Sequence, residues 1–475
     1  MKTRYFKSGL LAATAALLFA AANVSCTADD IRVGKGTDEG SFGTIYENNV
    51  LLQDANTGKS ATVVELLSDT YQTELKLTLT KAPAANLSVK ASFDAAYLQT
   101  YNAAHGTDYA LYPEASVSFA DEGLFTLETG ALNASLGMTI TGSDALEEGK
   151  TYLVPVAVSS QDESVTIKSE AGHCVYLVQD VRSLPTCHKG EDLPKGFLFF
   201  EVNDVNPLNA LSCQLEDGRL IWDVVVLFAA NINYDTDAQR PYIKCNPNVQ
   251  YLLDNNEEFL QPLRKRGIKV LLGLLGNHDQ AGLAQLSDIG ARDFAAEVAR
   301  YCEAYNLDGV NYDDEYSDYP DLDNPCFTSP GSEAAARLCY ETKKAMPDKL
   351  VTVFIWGSMY GTETVDGTDA DEWIDVAVAN YGGTASPIGN MTLKKCSGCS
   401  TEFNLNGGSD LDESRADYML SEGFGWFMGF ALNPEKGFAY QMSRISGVGK
   451  LYGSPLKTPT TYYKKNDSKP YDIEN

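Results

Sequence analysis

An antiparallel β-sandwich followed by a (β/α)8 TIM barrel is the fold that the hydrophobic periodicity of this chain predicts. Two observations carry it. Apolar residues recur at a period of two over the first third, and from Gly196 apolar strands alternate with amphipathic helices, a grammar that implies parallel β/α units. Size agrees, because 475 residues with 44% hydrophobic composition suffice for two separate cores. The 65 acidic and 37 basic residues leave a net charge of -28. So acidic a chain repels nucleic acid and anionic membrane and is compatible with a neutral ligand such as a sugar, without selecting one.

Taken in order, the chain begins with a targeting pattern. Lys2, Arg4 and Lys7 precede an apolar run over 10–22 that is too short for a membrane span. The run ends at Val24-Ser25-Cys26, which resembles a bacterial lipoprotein signal. That resemblance implies removal of 1–25, acylation of Cys26 and a polar, Gly-rich tether over 26–43. Thr27-Ala28-Asp29-Asp30 resembles the acidic tag of Bacteroidetes lipoproteins bound for the exterior face of the outer membrane. The implied partners are the membrane, through the anchor, and neighbouring surface glycan-uptake proteins. A soluble secreted protein with an incidental Cys26 is the alternative.

Residues 44–181 read as the sandwich. Leu75, Leu77 and Leu79 alternate with Lys76, Thr78 and Thr80, and similar alternation marks 117–119, 138–140 and 165–167. Residues 97–105 read as a helical insertion. The region resembles the N-terminal sandwich of Bacteroidetes surface glycan proteins in its Tyr97-Leu98-x-x-Tyr101-Asn102 and Gly149-Lys-Thr-Tyr-Leu-Val-Pro155 segments. It carries no catalytic constellation, and both a spacer and a glycan-binding role stay open.

Pro185, Gly190 and Pro194 punctuate 182–195 as a linker. The barrel is expected over 196–456, with strands at 197–202, 223–229, 268–275, 307–315, 350–355, 374–379, 395–403 and 424–432. Between them, 254–266 reads as a helix capped by Asp254 and stopped by Gly267, and 332–346 as one capped by Ser332. Residues 457–475 read as a mobile polar tail. No metal site and no cofactor are expected: Cys396 and Cys399 form a lone C-x-x-C, the remaining cysteines are scattered, and the chain has 4 histidines.

The chemistry concentrates in Leu307-Asp308-Gly309-Val310-Asn311-Tyr312-Asp313-Asp314-Glu315-Tyr316. Alternation puts Asn311, Asp313 and Glu315 on one strand face and Val310 and Tyr312 on the other, so a barrel strand would deliver the acids to its C-terminal mouth. Asp308 to Glu315 fits D-G-x-[DN]-x-D-x-E, the signature of glycoside hydrolase family 18. The segments 223–235, 248–254 and 266–278 extend the similarity to endoglycosidase H and its relatives, nearly continuously from Phe200 to Tyr319.

The resemblance implies an endo-β-N-acetylglucosaminidase that cuts between the two core N-acetylglucosamines of N-linked glycans, of high-mannose type by nearest likeness. The glycan or glycoprotein is its partner. Glu315 is implied as the acid and then the base of a substrate-assisted retaining reaction. Asp313 is implied to hold the acetamido N–H and stabilise the oxazolinium charge, and Tyr381, with Asn380 beside it, to donate to the acetamido carbonyl. Phe430 takes the place of a floor aromatic beneath the sugar, with Trp426 packing. Asn277, Glu201 and Asn231, ending predicted strands, are further candidates for polar contacts. Asn311, an aspartate in endoglycosidase H, is expected to donate to Asp313. Asp308 and Asp314 read as structural. A chitinase and a non-catalytic glycan-binding protein are the rivals, the second disfavoured by the presence of Glu315.

Overall fold

A computed structural model describes residues 47–473 except 148–149, 191, 318, 361–363 and 406–409. The signal segment, Cys26 and the tether lie outside the described residues. The chain divides into two compact units between Arg182 and Ser183.

The first unit is a sandwich of a four-stranded and a six-stranded sheet. Strand 70–79 shows why the alternation was legible: Leu75, Leu77 and Leu79 are buried between the sheets while Lys76 and Thr80 are exposed. Pairing is antiparallel except where His173–Asp180 runs parallel to Ala61–Leu66 and Ala110–Leu111 to Thr151–Ser159. Tyr97–His105 is a helix, closed by Gly106 in the left-handed conformation. Residues 165–167 are not a strand, since only Thr166 makes a bridge, to Asn49. Alternation over three residues is too short to fix a ladder.

The second unit is the barrel. Its strands are β1 (Lys195–Glu201), β2 (Trp222–Asp235), β3 (Lys269–Leu275), β4 (Gly309–Asp313), β5 (Leu350–Ile355), β6 (Val376–Ala379), β7 (Ser397–Glu402) and β8 (Trp426–Phe430). They pair in parallel in the order β6-β5-β4-β3-β2-β1-β8-β7. The seam between β6 and β7 is closed by one bridge, Ala377 to Cys396, and by hydrogen bonds from Gly382 N and Ala385 N to Ser400 O and Ser397 O. Phe197, Phe199, Val224, Val226, Leu271, Phe354 and Met428 fill the interior, and the opposite strand faces pack under the helices.

Three expectations change here. The helix expected over 254–266 is broken into Asn256–Phe259 and Gln261–Arg264, and Asp254 ends a preceding helix, Pro247–Asp254, whose cap is Asn246. Pro262 explains the break, because its ring is accepted at the start of a helix and not inside one. Ser332 is the first residue of Ser332–Ala345 and does not cap it. The two segments read as linker and tail are both folded onto the barrel. Lys189 is buried, reaching Asp223 at 2.8 Å and the Cys187 carbonyl at 2.8 Å. Asn206 Nδ2 donates to the carbonyls of Lys464 and Asp467, each at 2.8 Å, and Thr461–Tyr462 pairs with Tyr471–Asp472. Pro, Gly and Lys mark irregular or polar backbone, which packs when side-chain amides satisfy it.

Asp308 anchors the start of β4. Its carboxylate accepts from Arg264 Nε at 2.8 Å and Nη2 at 3.1 Å and from Val270 N at 2.9 Å. Burial alone would raise its pKa, but the Arg264 and Val270 hydrogen bonds outweigh burial and hold it below the usual carboxylate value. The stability this contributes is present above the unfolded pKa and is lost as pH falls through the lower folded value. Asp308→Asn is expected to cost about 2–3 kcal/mol near pH 7, by loss of one partner from a largely buried pair, and less near pH 3. Urea unfolding at the two pH values checks this.

Candidate active site

Eight parallel strands present inward residues to one mouth, and six of those at the mouth's level have chemistry to offer: Glu201, Phe228, Asp313, Phe354, Glu402 and Phe430. Register sets this level. Phe199 pairs with Phe430, Glu201 with Phe228, and Glu402 with Phe430. Phe430 lies 5.9 Å from Phe199 and 5.5 Å from Phe228, ring centroid to ring centroid. Tyr381, just past β6, closes over this aromatic group at 5.3 Å from Phe430 and 6.0 Å from Phe354, and is 40% exposed. An apolar floor with one accessible phenol at its edge results.

The acids stand on β4. Asp313 is 4% exposed, and its Oδ1 has no hydrogen-bond partner. Burial first, then the charges of Glu315 and Asp314, push its pKa up to about 8. Glu315 stands one step further out and is half-buried, and the Tyr316 hydroxyl bonds to its side chain. Burial and the carboxylates of Asp313, Glu402, Glu315 and Glu201 raise the Tyr381 phenol. All four acids thus act on the space that Tyr381 overlooks.

Neighbouring strands fix the Glu315 backbone. A Cβ on Gly276 would fall 2.0 Å from Glu315 O, so only glycine lets the β3 exit approach so closely. His278 N donates to Tyr316 O at 2.6 Å, and Ser358 N to Asp314 Oδ2 at 2.9 Å. Asp314 therefore ties β4 to the turn after β5 and does not face the mouth.

The remaining sequence candidates separate. Asn311 is wholly buried one layer below Asp313, and its Nδ2 donates to Thr352 Oγ1 at 2.9 Å. It neither reaches the mouth nor donates to Asp313 as expected, because β5 supplies an acceptor at its own level. Its Oδ1 is unpartnered, like Asp313 Oδ1. Asn231 Nδ2 donates to Gly276 O at 2.9 Å and Asn277 Nδ2 to Asn233 Oδ1 at 2.9 Å, so both brace the exits of β2 and β3. Asn380 Oδ1 accepts from Tyr381 N at 2.7 Å and orients that residue. Glu201 is at the mouth, raised by burial and then by Asp204, with Lys436 opposing. Glu402 was missed. It ends the inward face of β7 as Glu201 ends that of β1, and applying the same rule to the seventh strand would have found it.

A family model of an N-terminal domain matches residues 46–165. Endo-beta-N-acetylglucosaminidase F1 of Elizabethkingia meningoseptica is 42% identical over 278 residues, 57% of this chain and 82% of that protein. An endo-beta-N-acetylglucosaminidase of a Flavobacterium species is 32% identical over 263 residues, 55% of this chain and 81% of that one. Among solved structures, EndoBT-3987 of Bacteroides thetaiotamicron with a Man5GlcNAc product is 61% identical, covering 89% of this chain and 99% of that one, with a TM-score of 0.60. The same protein in complex with a Man9GlcNAc2Asn substrate is 58% identical, covering 89% and 98%, with a TM-score of 0.60.

Proposed function

We infer that this chain, which belongs to the endo-β-N-acetylglucosaminidase family, hydrolyses the bond between the two core N-acetylglucosamines of high-mannose N-glycans, leaving one sugar on asparagine. One observation carries the mechanism. The second acid of the pair, Asp313, is 4% exposed and sits one strand step inside Glu315, so it is not placed to attack an anomeric carbon. The substrate's own 2-acetamido oxygen takes that part.

An acetamido N–H donated to Asp313 favours its ionised form, and Glu315, one strand step further out, is the group placed to protonate the leaving oxygen. The acetamido oxygen bonds to C1 as the C1–O bond breaks. Glu315 gives its proton to the departing O4, and Asp313 faces the oxazolinium charge. Glu315 then takes a proton from water, which adds to C1 and reopens the ring with retained configuration. Tyr381 donates to the acetamido carbonyl, and the Phe430 ring lies under the sugar. Tyr381→Phe is expected to lower kcat by about 10- to 100-fold with a small change in KM, since this hydrogen bond strengthens as charge develops. Steady-state kinetics check it.

The high-mannose preference is supported by the Man9GlcNAc2Asn complex of EndoBT-3987. High-mannose, complex-type and chito-oligosaccharide substrates, compared at equal concentration, test it. Faster cleavage of either of the others would replace the preference. On location, the proposal is an outer-membrane lipoprotein facing the exterior, supported by the Lys2-to-Cys26 pattern. Cys26→Ser is expected to move the protein from the membrane fraction to the soluble one, and unchanged fractionation contradicts the anchor.

A further inference from the structure

The folded C-terminal segment builds a second cavity, of about 710 Å³, between its hairpin and the turn and helix that follow β8. One wall is Pro434–Lys436 and Phe438–Ser443, and the other is the strand pair Thr461–Tyr462 and Tyr471–Asp472. Tyr440, Tyr462 and Tyr471 line it together with the carboxylates of Glu435 and Asp472. Two of these rings are held out to water, Tyr440 at 63% and Tyr471 at 39% exposure. Tyr471 is fixed in place: Lys464 Nζ lies 4.3 Å from its ring centroid, and its hydroxyl donates to Asp467 Oδ2 at 2.5 Å. Exposed phenols beside carboxylate acceptors suit a polyhydroxylated ligand, whose C–H faces pack on rings and whose hydroxyls donate to carboxylates.

Its position relative to the acids gives the ligand. In the strand order β6-β5-β4-β3-β2-β1-β8-β7, β8 stands across the mouth from β4. A glycan held with its scissile bond at Glu315 and its ring over Phe430 therefore extends, away from the leaving group, toward β8 and the loops behind it. The Pro434–Lys436 turn follows the end of β8 at Phe430, and its Pro434 and Glu435 wall the cavity, so the cavity adjoins the β8 side of the mouth. We propose that this cavity is a subsite for the outer mannose residues of one arm of the glycan, with Tyr440 and Tyr471 as its stacking faces and Glu435 and Asp472 as hydroxyl acceptors. This rests on the high-mannose reading above and names residues that set how strongly outer mannoses are preferred.

Two measurements on the full chain test it. In the first, free mannotriose is titrated into the wild type and into Tyr440→Ala, a change at an exposed side chain, with Tyr471→Phe as a variant that keeps the ring. Saturable binding is expected in the wild type and in Tyr471→Phe, and its loss in Tyr440→Ala. No binding to the wild type, or equal binding to Tyr440→Ala, overturns the subsite. In the second, the ratio of kcat/KM for a Man9GlcNAc2 glycopeptide to that for a Man3GlcNAc2 glycopeptide is expected to fall about tenfold in Tyr440→Ala, the loss of one stacking contact. An unchanged ratio overturns it. A wild type that binds mannotriose but cleaves neither glycopeptide contradicts the proposed function and leaves the subsite standing, which separates the two failures.

Discussion

Glu315→Gln is expected to reduce glycan release by at least about 10³-fold while glycan binding persists, because the amide keeps the shape of the side chain and cannot deliver a proton. Binding is expected to survive because the aromatic floor and Tyr381 do not depend on Glu315 for position: Tyr381 packs on Phe354 and Phe430. Backbone geometry should also be kept, since Gly276 and His278 hold the Glu315 to Tyr316 turn through main-chain atoms. Single-turnover release from a labelled glycopeptide, with a separate binding titration, checks both halves. Turnover within a few-fold of wild type would remove Glu315 from its role.

Asp313→Asn should lower activity sharply and stabilise the protein, and the two effects have one origin. In the reaction the carboxylate meets a positive charge that exists only as the oxazolinium forms, so its loss is expected to lower kcat by about 10²–10³-fold. In the resting fold the same group is costly. Burial, then Glu315 and Asp314, raise it to about 8, against about 3.9 in the unfolded chain. Between these values the folded state binds a proton that the unfolded state has released, so stability falls as pH rises from about 4 to about 8 and levels off above. Asparagine does not titrate. The gain in melting temperature from Asp313→Asn should therefore be close to nil at pH 4 and largest at pH 8. An equal shift at both pH values would contradict the burial argument.

Sequence and structure agree most closely where one physical signal decides. The β4 segment was legible because alternation sorts Asn311 and Asp313 inward and Val310 and Tyr312 outward, and every neighbouring strand obeys the same period. Strand ends are less legible: the alternation predicts a strand over 307–315, yet the ladder stops at Asp313, ahead of the left-handed turn at Tyr316. What failed was partner assignment. Asn311 was paired along its own strand with Asp313, whereas its amide reaches across to Thr352, and cross-strand neighbours depend on register, which one segment cannot supply. The polar C-terminus failed for a related reason. Its backbone is satisfied by Asn206 and Asn209, more than two hundred residues earlier, and composition gives no view of such distant partners.

The mass of a high-mannose glycoprotein before and after incubation with the enzyme decides which bond is cut. Each site is expected to lose its glycan except for one N-acetylglucosamine, which remains on asparagine. A remnant with no sugar, or with both core N-acetylglucosamines, would contradict it.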